Sequence, residues 1–94
     1  MSLYRLKFTK LSKKEFDKLD NSIKLQFHKK LKQRLENPKV PSAKLSGFEN
    51  IYKIKLRSSG FRMAYEVKDE EIVVLVLKVG KREDFYELLK QFIK

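Results

Sequence analysis

The chain contains no cysteine, which excludes disulfides and thiol chemistry and makes a reducing cytoplasm the expected setting. It has a single histidine, His28, so any reaction needing two imidazoles is excluded. No apolar run approaches the roughly 20 residues that cross a bilayer. The opening residues MSLYRLKF lack the apolar core of a signal peptide. A soluble intracellular protein is therefore expected, with no membrane partner. Carboxylates are few: 12 Asp+Glu stand against 23 Lys+Arg. Those present, such as Glu70-Glu71 and Glu83-Asp84, read as turn and cap residues without metal-ligand spacing. No metal and no other cofactor is expected. Repeats and low-complexity segments are absent, so residues 1–94 are read as one domain.

What the chain does have is positive charge, at a net +11. Such an excess favours phosphate backbones, anionic membranes or acidic proteins, without choosing among them. The most informative stretch is IYKIKLRSSGFRMAYEV, Ile51 to Val67. With the period of a strand, Tyr52, Ile54 and Leu56 point one way and Lys53, Lys55 and Arg57 the other. After Ser58-Ser59-Gly60 the alternation resumes, with Phe61, Met63, Tyr65 and Val67 apolar. This predicts a β-hairpin. Burial of the apolar face fixes its register, with Lys55 opposite Arg62, Ile54 opposite Met63 and Tyr52 opposite Tyr65. A one-residue slip would put lysines in the core. Lys53, Lys55, Arg57 and Arg62 then share one face. Like charges side by side cost stability, so four of them invite a polyanion.

The remaining elements follow from periodicity. Leu3 to Phe8 alternates as a first strand. Ser12-Lys13-Lys14-Glu15 fits a capping box, with Leu11 and Phe16 as its hydrophobic staple, and predicts a helix from Lys13 to about Leu19. Asp20, Asn21 and Ser22 offer caps for a second helix. Its stripe is Ile23, Phe27, Leu31 and Leu35, and Asn37-Pro38 ends it. Residues 38–50 form the longest loop. Asp69-Glu70-Glu71 marks a turn. Ile72 to Val79 is apolar on both sides, so it belongs at the centre of the sheet, and Gly80 punctuates its end. Phe85, Leu88, Leu89, Phe92 and Ile93 form a core-facing stripe on a last helix. The order β-α-α-β-β-β-α implies an α+β fold, two N-terminal helices packed on a largely antiparallel sheet.

YKIKLRSSGFRMAYEV, followed by a Val-rich strand and VGKRE, closely resembles the RelE toxins of bacterial and archaeal toxin–antitoxin systems, within the RelE/ParE superfamily. The likeness covers nearly the whole chain, including LENPKVPSAKLSG. It implies an endoribonuclease, an mRNA interferase, that cuts messenger RNA in the ribosomal A site and stops translation. It also implies a RelB-like antitoxin, with DNA contact only through the antitoxin complex. The family's basic positions match Lys53, Lys55, Arg62 and Arg82, and its tyrosine near the start of the last helix matches Tyr86. Only three residues separate Arg82 from Tyr86, fewer than in the usual RelE pattern. Arg57, Lys78 and Lys81 are read as RNA contacts.

RNA can be cut without metal when its own 2′-OH attacks the neighbouring phosphorus. One group must take the 2′ proton, cations must stabilise the crowded phosphoryl centre, and the 5′ oxygen must be protonated. Crowded cations favour ionised tyrosine and neutral lysine, so Tyr86 or a cluster lysine is the base. Arg is a poor proton donor but a good phosphate fork. Arg62 with a second lysine therefore holds the phosphate, and Arg82 the phosphate or leaving oxygen. Tyr86 lies about 100° around the helix from Phe85, off the apolar stripe.

On composition alone, Lys53, Lys55 and Arg57 read as a solvated sheet face. Arg62 on that face and the resemblance turn the reading towards RNA. His28 is read as a surface residue, and Lys29, Lys30, Lys32 and Arg34 as a solvated helix face. Two other functions share the features: a ParE-like inhibitor of DNA topoisomerase, and a non-catalytic RNA-binding module.

Overall fold

The computed structural model describes residues 3–81 and 85–92, with the side chain of Phe92 excepted. Its elements are β1 (Arg5–Phe8), α1 (Lys10–Asp17), α2 (Asn21–Glu36), β2 (Ile51–Lys55), β3 (Phe61–Lys68), β4 (Val73–Lys81) and α3 (Phe85–Phe92). The expected order and class are met. A single 3-10 turn, Pro41–Ala43, interrupts the long loop before β2.

The sheet runs β1-β4-β3-β2. Beta-1 is parallel to β4, and the other two pairings are antiparallel. The Val-rich strand β4 is central, as its apolar run requires. The hairpin has the expected register: Tyr52 faces Tyr65, Ile54 faces Met63 and Lys55 faces Arg62. Its turn closes through Gly60, whose N–H donates to Leu56 O at 3.0 Å and whose φ of +78° is costly for any residue with a Cβ.

Two apolar layers sit on opposite sides of this sheet. On the first, Phe16 of α1 and Phe27 and Leu31 of α2 pack against Tyr52, Ile54, Met63, Tyr65, Val67, Val74, Val76 and Val79. Burying a side chain the size of Phe27 stabilises by about 2–3 kcal/mol. On the second, Phe85 and Leu89 of α3 pack against Leu45, Ile51, Ala64 and Leu77. A bulge between Ala64 and Tyr65 pairs them with Lys78 and Val76, leaving Leu77 as the extra residue. That extra residue turns towards α3. The stripe expected on the last helix is therefore narrower than read: Phe85 and Leu89 are buried, whereas Leu88 is 46% exposed. Ile93 and the side chain of Phe92 lie outside the described residues.

The start of α1 corrects the sequence reading. Thr9, not Ser12, is the N-cap, and its Oγ1 accepts the Ser12 N–H at 3.1 Å. Ser12 is fully buried and donates to Val76 O at 2.7 Å. Glu15 does not reach back to the helix start. Its Oε1 accepts the Val79 N–H at 3.0 Å and its Oε2 the Lys78 ammonium at 2.7 Å. Leu11 is exposed, so no staple forms. The cause lies in the sheet. Beta-1 ends at Phe8, opposite Val76, so beyond that point β4 has no strand on this side. Side chains of α1 cover it instead, because buried backbone polar groups need partners. The strand β4 also continues through Gly80 to Lys81, since Gly80 still pairs with Arg62. The first strand is shorter than read, beginning at Arg5 rather than Leu3.

Candidate active site

The hairpin carries Lys53, Lys55 and Arg62 to the α3 side of the sheet. Lys55 and Arg62 are direct cross-strand partners, and Lys53 faces the fully buried Ala64. Lys53 and Arg62 are half-buried, and Lys55 and Arg57 are exposed. Alpha-3 covers only the Ile51–Ala64–Leu77 half of this face, and its first turn brings Tyr86 to the boundary. There Arg62 Nη1 donates to Tyr86 Oη at 2.8 Å. The guanidinium carbon lies 5.5 Å from the Tyr86 ring centroid, a cation–π contact. Tyr86 is braced from below by Phe85, edge-on at 5.2 Å. Two residues from separate elements thus meet, the guanidinium of β3 and the phenol of α3.

Two shallow basic hollows flank this contact. One, of about 220 Å³, lies at the hairpin turn between Lys55, Arg57, Gly60 and Arg62. The other, of about 350 Å³, lies along the open edge of β2 between Lys30, Arg34, Lys53, Lys55 and Arg57. They share Lys55 and Arg57, so the basic surface is continuous from α2 to the hairpin tip. Among the described residues no group of three His, Cys, Asp or Glu is placed to hold a metal.

The other expected site residues fall differently. Arg82 lies outside the described residues. Lys81 is exposed, but by register it shares the side of Phe61, over whose ring its ammonium sits at 5.4 Å. Lys78 corrects the reading: only 8% exposed, it is bonded to Glu15 and lies over the Phe85 ring. Its ammonium is committed to joining α1, β4 and α3, so it is not an open RNA contact. His28 is exposed, as read, and touches the Phe16 ring edge-on at 5.5 Å.

Arg34 is the residue that sequence reasoning missed. Read as part of a solvated helix face, it is half-buried, and its Nη1 donates to Lys53 O at 3.0 Å and Tyr65 Oη at 2.9 Å. A signal was present, since Arg34 follows Leu31 by three residues and borders the apolar stripe of α2. Tyr65 itself is fully buried and donates to Pro38 O at 2.7 Å. Burial holds its hydroxyl above the usual phenol range, and the Arg34 guanidinium works against that rise.

The family profile described as "ParE toxin of type II toxin-antitoxin system, parDE" matches residues 6–86. The chain therefore belongs to this family of type II toxins. Within it, the likeness is to the RelE branch. A RelE-like toxin protein of Escherichia coli is 51% identical over 90 residues, covering 94% of this chain and 95% of its own. The mRNA interferase toxin RelE of Escherichia coli K12 is 49% identical over 80 residues, covering 85% and 84%. RelE in the crystal structure of the intact E. coli RelBE toxin–antitoxin complex superposes with a TM-score of 0.83 at 48% identity, over 85% of this chain and 98% of that one.

Proposed function

We infer that this chain is the toxin of a type II toxin–antitoxin pair and acts as a ribosome-dependent endoribonuclease on messenger RNA. The observation that carries the reading is the Arg62–Tyr86 contact on the face that holds Lys53 and Lys55. The near-half identity with a relative named as an mRNA interferase supports it.

The chemistry is an internal displacement. The 2′ oxygen bonds to phosphorus while the bond from phosphorus to the 5′ oxygen breaks. The 2′ proton passes to a base, Tyr86 or one of the lysines Lys53 and Lys55, and a second group protonates the leaving oxygen. Arg62, already pointing at Tyr86, binds the phosphoryl oxygens as charge develops there. Arg82 takes the phosphate or leaving oxygen by the resemblance alone. Arg57 and Lys81 contact RNA farther from the cut. The site is open and shallow, so it orients its substrate weakly. A ribosome that holds the codon fixed supplies that orientation, which removes much of the barrier.

The RelBE complex supports a RelB-like antitoxin as partner. A segment that is acidic or amphipathic suits a chain of net charge +11. It neutralises the toxin by covering the basic face or by displacing α3, whose hold on the sheet rests on Phe85 and Leu89. Both toxin and ribosome act in the cytoplasm, and among the described residues no helix is long and apolar enough to cross a membrane.

The family profile's ParE name favours a second reading, inhibition of a DNA topoisomerase by protein contact. One assay separates the two. Pure protein is incubated with programmed ribosomes, and the message is mapped for breaks. A cut at the A-site codon supports the nuclease. An intact message, together with loss of DNA supercoiling by a topoisomerase, supports the second reading.

A further inference from the structure

The open edge of β2 runs directly behind a site residue. In an edge strand, alternate residues turn their carbonyls outward, where no neighbouring strand answers them. On β2 the inward set pairs with β3, and the outward set includes Ile51 and Lys53. Ile51 O accepts the Leu45 N–H at 2.9 Å, from the loop. Lys53 O accepts from a side chain instead, the guanidinium of Arg34 at 3.0 Å.

We propose that Arg34 is a positioning residue for Lys53, standing in for a missing fifth strand at the point where the cleaving face needs a fixed backbone. This rests on the reading of Lys53 as a site residue. Arg34 is itself immobilised. One chain of hydrogen bonds runs from Pro38 O through Tyr65 Oη and Arg34 Nη1. The guanidinium carbon also lies 5.8 Å from the Tyr65 ring centroid, and Tyr52 stacks on the same ring at 5.9 Å. Among the described residues no carboxylate lies within 4.0 Å of Arg34, so its acceptors here are neutral oxygens. An ordinary helix-to-sheet ion pair would look different. A planar fork on a rigid aromatic base fixes the strand at Lys53, and the Lys53 side chain inherits that position on the opposite side of the backbone. Misplacing a catalytic group by about 1 Å can cost on the order of 100-fold in rate.

The test is a double-mutant cycle on programmed ribosomes, read as the single-turnover cleavage rate at saturating protein. R34M keeps the length and apolar stem but removes both donors. It is expected to slow cleavage about tenfold, with the half-saturating protein concentration changing by less than about threefold. K53A is expected to slow cleavage on its own, and R34M added to K53A to slow it by no more than about twofold further. R34K, which keeps a cationic donor on a side chain one bond shorter, is expected to recover part of the loss. If R34M unfolds at the assay temperature, R34Q, whose side chain is two bonds shorter than arginine, replaces it in the cycle. A wild-type rate in R34M overturns the proposal. So does a loss of the same factor in both backgrounds, because Arg34 then acts without Lys53. If K53A cleaves at the wild-type rate, Lys53 is not a site residue, and the role of Arg34 falls with that reading. An impaired K53A with independent losses sinks Arg34 alone.

Discussion

The two faces of the sheet are built from the same strands yet differ in how completely they are covered. Facing α1 and α2, the sheet's apolar side chains form one layer in which Phe27, Met63, Tyr65, Val74 and Val76 lose all contact with solvent. Facing α3, the layer is smaller, and it stops where Lys53, Lys55 and Arg62 begin. The lesson is a division of labour within single strands. In β2 and β3, alternate residues hold the fold together while their immediate neighbours gather charge that the fold does not need. Stability and activity should therefore come apart on mutation.

The largest effect is expected on the covered face. Phe27→Ala should destabilise by about 3–5 kcal/mol, because a fully buried ring leaves a cavity between α2 and the sheet. Denaturant unfolding measures it, and a loss below 1 kcal/mol would mean that the layer repacks easily. On the open face the pattern reverses. Tyr86→Phe removes one hydroxyl and leaves Phe85 and Leu89 to hold α3, so unfolding should hardly change. Single-turnover cleavage should fall about 100-fold. An unchanged rate would make a cluster lysine the base.

Lys78 sharpens the boundary. It is a lysine of the α3 side that belongs to the fold, through Glu15. Lys78→Ala should cost about 1–2 kcal/mol of stability, since it strips a partner from a half-covered carboxylate. Ribosome binding should keep its wild-type dependence on salt. A flatter salt dependence would return Lys78 to the RNA-contacting set.

The smallest effect concerns Asp69, in the turn between β3 and β4. Hydrogen bonds from Lys39 first, and from Tyr4 second, hold its carboxyl below the ordinary value of 3.8. A depressed carboxyl stabilises the fold above its unfolded pKa. That contribution disappears as pH falls from 3.8 through the lower folded value. Melting points of wild type and Asp69→Asn should differ slightly at neutral pH and converge in acid. A gap that widens in acid would contradict this. Asp69 is exposed, so the effect is small at every pH.

What the sequence made legible follows the same division. The hairpin register could be read because any slip would bury lysines, and the pattern alone forbids that. The central place of β4 could be read because its residues are apolar on both sides. The start of α1 could not. Thr9 and Ser12 are both acceptable caps, and the choice depends on where β1 stops and exposes Val76 and Val79. Lys78 and Arg34 were misjudged for one reason: their partners, Glu15 and Lys53, come from other elements. Lys78 and Glu15 stand 63 positions apart, and only the folded sheet joins them. Of the candidate site, the shared face of Lys53, Lys55 and Arg62 was legible from period two. The meeting of Arg62 with Tyr86 needed the packing of α3.

The chemistry proposed for the open face is that of cations and a phenol acting on the RNA's own 2′-OH. The direct measurement is the chemical identity of the new ends after cleavage of the message on programmed ribosomes, at a fixed magnesium level that keeps the particles intact. The expected result is a 2′,3′-cyclic phosphate or 3′-phosphate on the upstream fragment and a 5′-OH on the downstream one. A 5′-phosphate on the downstream fragment would mean that water attacks instead, and would contradict the assignment of Tyr86, Lys53, Lys55 and Arg62.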